Sequence, residues 1–176
     1  LAGRFQENEK VAAMTKLEVK GNQSLIAFLV FAGATVFVYI VSGIVTATSV
    51  SSWYQTLNKP SFNPPDWIFA PVWSVLFIMI AIAGSMAWRR AKFYQRRRVL
   101  LVFSTQLALN CLWSVLFFGL QWVGTALIEI IFLWASILWA MYVFWPIDRR
   151  ASILFAPYAS WVTFAIALNA AIWSLN

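Results

Sequence analysis

The sequence predicts an all-α membrane protein, a bundle of five transmembrane helices, and three observations carry that prediction. Hydrophobic residues make up 62% of the chain and charged residues 11%, with a mean hydropathy of +0.75, far from the balance of a soluble domain. Five apolar runs, at 25–47, 67–88, 99–120, 124–145 and 152–174, are long enough for the ~20 helical residues that cross a hydrocarbon core of roughly 30 Å. The runs are continuous rather than alternating, which excludes a transmembrane barrel. The chain therefore divides into an amino-terminal tail, 1–24, and a five-helix domain, 25–176, with a long loop at 48–66 between the first two spans.

The charges orient the bundle. With the amino terminus on one side, that side also receives loops 89–98 and 146–151, and it holds every one of the 13 Lys and Arg except Lys59. By the positive-inside rule the cluster RRAKFYQRRR faces the cytoplasm or its equivalent, and loop 48–66 and the carboxyl terminus face the opposite side. The pI near 10.0 thus reports topology. The cations sit where helix ends meet anionic headgroups, so the expected partner is the lipid bilayer, with no nucleic acid.

The first 24 residues are mixed in charge. The chain opens on Leu1 and Met14 precedes the first span closely, so part of 1–13 reads as a processing remnant and no function is drawn from it. Gly21, Asn22, Gln23 and Ser24 predict a break and cap before the first span. Within that span Gly33, Ala34, Ser42 and Gly43 are small residues of the kind that let membrane helices approach closely.

The segment WYQTLNKPSFNPPDWIFAPVW, 53–73, packs three tryptophans, four prolines and two phenylalanines between the first two spans. Pro60, Pro64, Pro65 and Pro71 fix φ and remove amide donors, so the segment is a stiff aromatic flap. Asn63 or Asp66 can cap the second span, and Pro71 is expected to kink or loosen it. Along that span Phe69, Trp73, Phe77, Ile80, Gly84 and Trp88 recur every three or four residues, giving one largely aromatic face. Trp73 is expected to line an internal pocket and Trp88, beside Arg89, to sit at the interface.

Gln106, Asn110, Trp113 and Phe117 share one stripe of the third span. Amides inside a bilayer need partners, so both must point into the bundle, as interhelical glue or as ligand contacts. Cys111 reads as a packed thiol, and a single cysteine allows no intrachain disulfide. WSVLF occurs at 73–77 and at 113–117, too short a match to establish a duplication. The fourth span contains Glu129, an ionisable group near mid-membrane: it is a functional candidate, or a neutral carboxylic acid bonded to a neighbouring helix. Trp134, Trp139 and Trp145 read as lipid-facing and belt residues. In the fifth span Tyr158, Trp161, Ala165 and Asn169 stack at intervals of three or four, with Ala165 leaving space as a cavity wall would. With no histidine, zinc sites and histidine acid–base chemistry are not expected, and a haem iron lacks its commonest axial ligand.

The pattern WYxxLxKPxxxPPxWxxxPVW at 53–73, QLALN at 106–110 with FFG at 117–119, and PYxxWxxFAxxLN at 157–169 resembles the TspO/MBR family. These are the tryptophan-rich sensory proteins that include the mitochondrial translocator protein, once called the peripheral benzodiazepine receptor. The resemblance runs collinearly from about 53 to 173. It implies a five-helix bundle, often a homodimer, with a pocket opening toward the loop between the first two helices. It also implies binding of porphyrins such as protoporphyrin IX or haem, with cholesterol and synthetic ligands added in eukaryotic members. Some bacterial members are described as supporting light-dependent breakdown of protoporphyrin through a tryptophan pair, which falls on Trp73 and Trp161. The pocket alanine and asparagine fall on Ala165 and Asn169, and an acidic residue of mammalian members falls on Glu129.

The chain also departs from the family. The cholesterol-recognition pattern in the last helix of mammalian members needs a Tyr followed by Lys or Arg, whereas AAIWSLN follows Asn169 here. Thr125 replaces a tryptophan that mammalian members use for drug binding.

Residues and resemblance together yield a set of expectations. A flat tetrapyrrole stacks on indole and phenyl faces, with its propionates at the polar mouth within reach of Lys59 and indole N–H groups. The expected wall comprises Trp53, Lys59, Trp67, Phe69, Trp73 and Phe77 from the flap and second span, and Gln106, Asn110 and Trp113 from the third. Glu129 joins from the fourth span, and Tyr158, Trp161, Ala165 and Asn169 from the fifth. No cofactor or metal is required, and protoporphyrin IX or haem enters as ligand. Three function classes stay open: a porphyrin-binding sensor or carrier, a tryptophan-dependent degrader of protoporphyrin, and an accessory subunit of a larger membrane complex.

Overall fold

A computed structural model of the chain describes the backbone of residues 2–176 and the side chains from Gly21 onward. It contains seven α-helices: α1 (Ala2–Val50), α2 (Trp53–Thr56), α3 (Phe69–Arg90), α4 (Phe93–Ser114), α5 (Val123–Phe144), α6 (Arg149–Ile153) and α7 (Ala156–Leu175). A 3₁₀ turn, Asp66–Ile68, leads into α3, and a π-helical turn, Val115–Gly119, closes α4. Five helical stretches are long and apolar enough to cross a membrane: Gly21–Val50, Asp66–Arg90, Phe93–Gly119, Val123–Phe144 and Arg149–Leu175. The predicted five-span architecture is the observed one, and the chain is a multi-pass integral membrane protein.

The boundaries correct the sequence reading at two places. Helix α1 runs through Gly21–Ser24 without a break, because glycine costs a helix only about 1 kcal/mol and the flanking residues propagate it. The loop at 48–66 is shorter than expected, since α1 continues to Val50 and α2 occupies Trp53–Thr56. Pro71 follows the 3₁₀ turn Asp66–Ile68. It is the third residue of α3, inside the first turn, where a missing amide hydrogen leaves no intrahelical bond unmade.

Helix α1 packs on α3 and α4, α4 on α5, and α5 on α7, while α3 and α7 hardly approach each other along their backbones. The bundle is thus a ring of helices with one loosely closed seam. Large apolar side chains such as Ile40, Ile44, Ile78, Ile128 and Phe132 point outward, as lipid contact allows. Inside, one cluster built on Ile80, Val99, Ile137, Phe144, Phe155 and Val162 fills the end away from the flap. A smaller one, with Tyr54, Phe117, Phe118, Ala126 and Ile172, lies under the flap.

Both ends are pinned by polar contacts. Arg90 pairs with Asp148 at 3.2 Å, and Asp148 caps α6 by accepting from the Arg150 amide at 3.0 Å, so loops 89–98 and 146–151 share one end. At the other end the Asn58 amide donates to Asn176 Oδ1 at 2.9 Å, and Asn176 Nδ2 donates to the Asn58 carbonyl at 3.0 Å. The flap and the end of α7 are therefore tied together.

Candidate functional site

Under the flap lies a cavity of about 280 Å³ walled by α1, α3, α4 and α7. Its aromatic surface follows from helical spacing. Phe69, Trp73 and Phe77 succeed one another every fourth residue on α3, Trp113 and Phe117 do so across the end of α4, and Trp161, Phe164, Ala165 and Leu168 form an i, i+3, i+4, i+7 stripe on α7. Trp113 stacks on Phe117 with centroids 5.2 Å apart and planes 23° from parallel. Phe117 and the adjacent Phe118, both in the π turn, lie inside, 2% and 8% exposed. Ser49 on α1 donates to the Phe118 carbonyl at 2.6 Å and so satisfies a backbone acceptor of that turn.

Beneath the aromatic ring a polar floor is fixed by hydrogen bonds. Asn110 Nδ2 donates to the Tyr158 hydroxyl at 2.9 Å, and the Trp73 ring meets Tyr158 edge-on at 6.1 Å. The Trp113 indole N–H donates to Asn169 Oδ1 at 3.2 Å, and Asn169 Nδ2 donates to the Val123 carbonyl at 2.9 Å. One amide thereby holds α4, α5 and α7 in register. Ser42 adds a buried hydroxyl with no protein partner among the described residues.

The roof is Tyr54. It is 2% exposed, packs against Phe117 and Phe118, and donates its hydroxyl to Asn63 Oδ1 at 2.8 Å. The Lys59 ammonium sits 4.5 Å above its ring and donates to Gln55 Oε1 at 3.3 Å, and Gln55 Nε2 in turn bonds Asp66. Burial, and secondarily the Asp66 charge, pushes the Tyr54 phenol up to about 12, so the hydroxyl stays protonated and donating.

Of the residues singled out in the sequence, Phe69, Trp73, Phe77, Asn110, Trp113, Trp161, Ala165 and Asn169 come together on this one cavity. Tyr158 lies just behind its floor, and Trp53 packs edge-on against Phe117 at 5.7 Å. Lys59 rests on the outer side of Tyr54, and Trp67 is 72% exposed. Gln106 and Glu129 are buried and off the cavity. Gln106 donates to the Phe103 carbonyl at 2.9 Å, while its Oε1 and both Glu129 carboxyl oxygens have no partner among the described residues. Glu129 is thus not bonded to a neighbouring helix. Trp134 is half-buried and donates to Thr163 at 2.9 Å, rather than simply facing lipid.

The sequence reading missed the contribution of α1, where Tyr39, Ser42, Gly43, Thr46 and Val50 reach the cavity. Their three- and four-residue spacing was the available signal. It also passed over Asp66, Ser114 and Phe164 as wall residues, and Tyr54 as the roof, although Tyr54 stands inside the flap motif.

A ring of apolar helices around an aromatic, sparsely polar cavity defines a multi-pass helical membrane protein. The sequence profile of the TspO/MBR family matches residues 29–174, and the chain belongs to that family. It is 46% identical over 132 residues to the tryptophan-rich protein TspO of Archaeoglobus fulgidus, an alignment covering 74% of this chain and 84% of that protein. It is 37% identical to the tryptophan-rich protein TspO of Chlorobaculum tepidum, covering 88% and 99%. Identity to the human translocator protein is 30%, covering 70% and 75%.

Proposed function

We propose that the protein is a sensor or carrier for porphyrins and related flat hydrophobic molecules, held in the cavity beneath the flap. The observation that carries this reading is the convergence of Trp73, Trp113 and Trp161, from three different helices, on one cavity with few polar groups. Indole and phenyl faces stack on a planar ring system, while Ser42, Asn110 and Asn169 supply the few polar contacts that orient it. The cavity lies at the lower bound of roughly 300 Å³ for pockets of drug-sized ligands, so a tetrapyrrole requires one wall to move. Release of the flap would free Lys59 from Tyr54 to meet the propionates. By the charge bias of its loops, the flap faces away from the cytoplasmic-equivalent side.

No histidine is present to ligate iron, so metal-free protoporphyrin IX is expected to bind about as tightly as haem. Absorbance titration of the purified protein with each tests this. Similar affinities support the reading, and strict dependence on iron overturns it. A second reading, tryptophan-dependent photo-oxidation of protoporphyrin, is favoured by one observation: Trp73 and Trp161 line the same cavity.

A further inference from the structure

We propose that a lipid-facing groove between α3 and α7 is a second binding site for planar apolar molecules dissolved in the bilayer, and that Trp161 is the movable wall through which they pass into the cavity. This rests on the reading that the cavity takes a tetrapyrrole.

The groove is lined by Pro71, Val75 and Met79 on one side and Pro157, Ser160 and Trp161 on the other. Val75 is 56% exposed, and in a bilayer such exposure means contact with lipid. Trp161 belongs to both spaces, forming a wall of the inner cavity and the rim of the outer groove. Since α3 and α7 hardly approach each other here, Trp161 is the side chain that stands between the groove and the ligand space.

That side chain is held differently from its neighbours. The indole N–H groups of Trp113 and Trp134 are anchored to Asn169 and Thr163, whereas that of Trp161 has no protein acceptor among the described residues. Its ring is retained by apolar contacts alone, edge-on to Phe69 at 6.1 Å and tilted against Phe164 at 5.4 Å. Acyl chains replace such contacts at little cost, because lipid tails are as apolar as the side chains they displace. Opening the flap is harder. It breaks the paired Asn58–Asn176 bonds and lifts Tyr54 off Phe117 and Phe118. The lateral route therefore has the lower barrier, and rotation of Trp161 joins groove to cavity to make the room that a tetrapyrrole needs.

Stopped-flow quenching of tryptophan fluorescence, with the protein in vesicles preloaded with protoporphyrin IX, tests this. Filling the groove with Val75→Trp, or independently with Ser160→Phe, is expected to abolish binding in the groove, to slow association with the cavity by about tenfold or more, and to leave the equilibrium affinity of the cavity, which neither residue lines, unchanged. Locking the flap with a thiol crosslinker between Asn58→Cys and Asn176→Cys, in a Cys111→Ser background, is expected to leave association unchanged. Normal association in both groove variants, together with slowing by the flap lock, overturns the proposal. Absence of any protoporphyrin binding in the unaltered protein defeats the tetrapyrrole reading, and the proposal falls with it.

Discussion

Asn110 on α4 donates its side-chain amide to the hydroxyl of Tyr158 on α7 across 2.9 Å, with both residues almost wholly buried. The bond spans helices with no sequence proximity and sets the depth of the cavity floor. In a bilayer such interhelical bonds contribute about 0.6 kcal/mol on average and up to about 1.7. Tyr158→Phe and Asn110→Ala are each expected to destabilise the bundle within that range, and the double variant by less than their sum. Thermal denaturation in detergent gives the coupling, and strict additivity would show that the two groups act independently.

The roof predicts an alkaline transition. Tyr54 is raised to about 12, by burial first and by Asp66 second, from the ordinary phenol value of 10.0 that describes it when the flap is unfolded. Between those two pH values the unfolded state has released the proton and the folded state has not. The contribution of Tyr54 is therefore complete below about pH 10 and is lost as pH rises toward 12. Ultraviolet titration should show a late-ionising tyrosine component near pH 12 that disappears in Tyr54→Phe, accompanied by release of the flap. An ordinary titration at every tyrosine outside the membrane would contradict this.

Two glycines are expected to behave oppositely. A Cβ at Gly84 would lie 2.5 Å from Phe103 and 2.6 Å from Phe31, whose rings already pack edge-to-face at 4.6 Å, so Gly84→Ala overpacks the α1–α3–α4 junction and costs about 1–3 kcal/mol. Gly43 meets nothing within 4 Å and borders the cavity, so Gly43→Leu should fold normally and weaken protoporphyrin binding. Melting temperature and a binding titration on the same two proteins separate the effects.

Illumination distinguishes binding from degradation. If Trp73 and Trp161 take part in photochemistry, Trp73→Phe and Trp161→Phe should retain bound protoporphyrin, since phenyl rings still stack, and lose product formation. Chromatographic product yield after equal exposure is the measurement. Equal yield in all three proteins removes the enzymatic reading and leaves the sensor or carrier reading standing.

Glu129 and Trp73 show where sequence reasoning stops. Helical periodicity put Trp73 on an aromatic face and the cost of a carboxyl in lipid singled out Glu129, and both are drawn inward: Glu129 is 7% exposed and Trp73 only partly exposed. Periodicity fixes the direction of a side chain relative to its own helix and says nothing of which neighbour it meets. Trp73 therefore reaches the cavity while Glu129 is packed away from it. Phe117 and Phe118 mark a second limit, because the π turn that carries them leaves no signature in the hydrophobic pattern of the sequence.

The five spans, their alternating direction and the collection of cations at one end were written in the sequence, because a hydrocarbon core imposes length and polarity on every segment that crosses it. The stiffness of the flap was legible too, in proline, whose constraint is local. What only the tertiary structure decided was how the helices stand around the ring: that α1 supplies a wall, that Tyr54 is the roof, and that α3 and α7 leave a seam covered by Trp161. These relations depend on packing between segments far apart in the chain, and in a medium where lipid and side chain are equally apolar no hydrophobic pattern records which helix faces which.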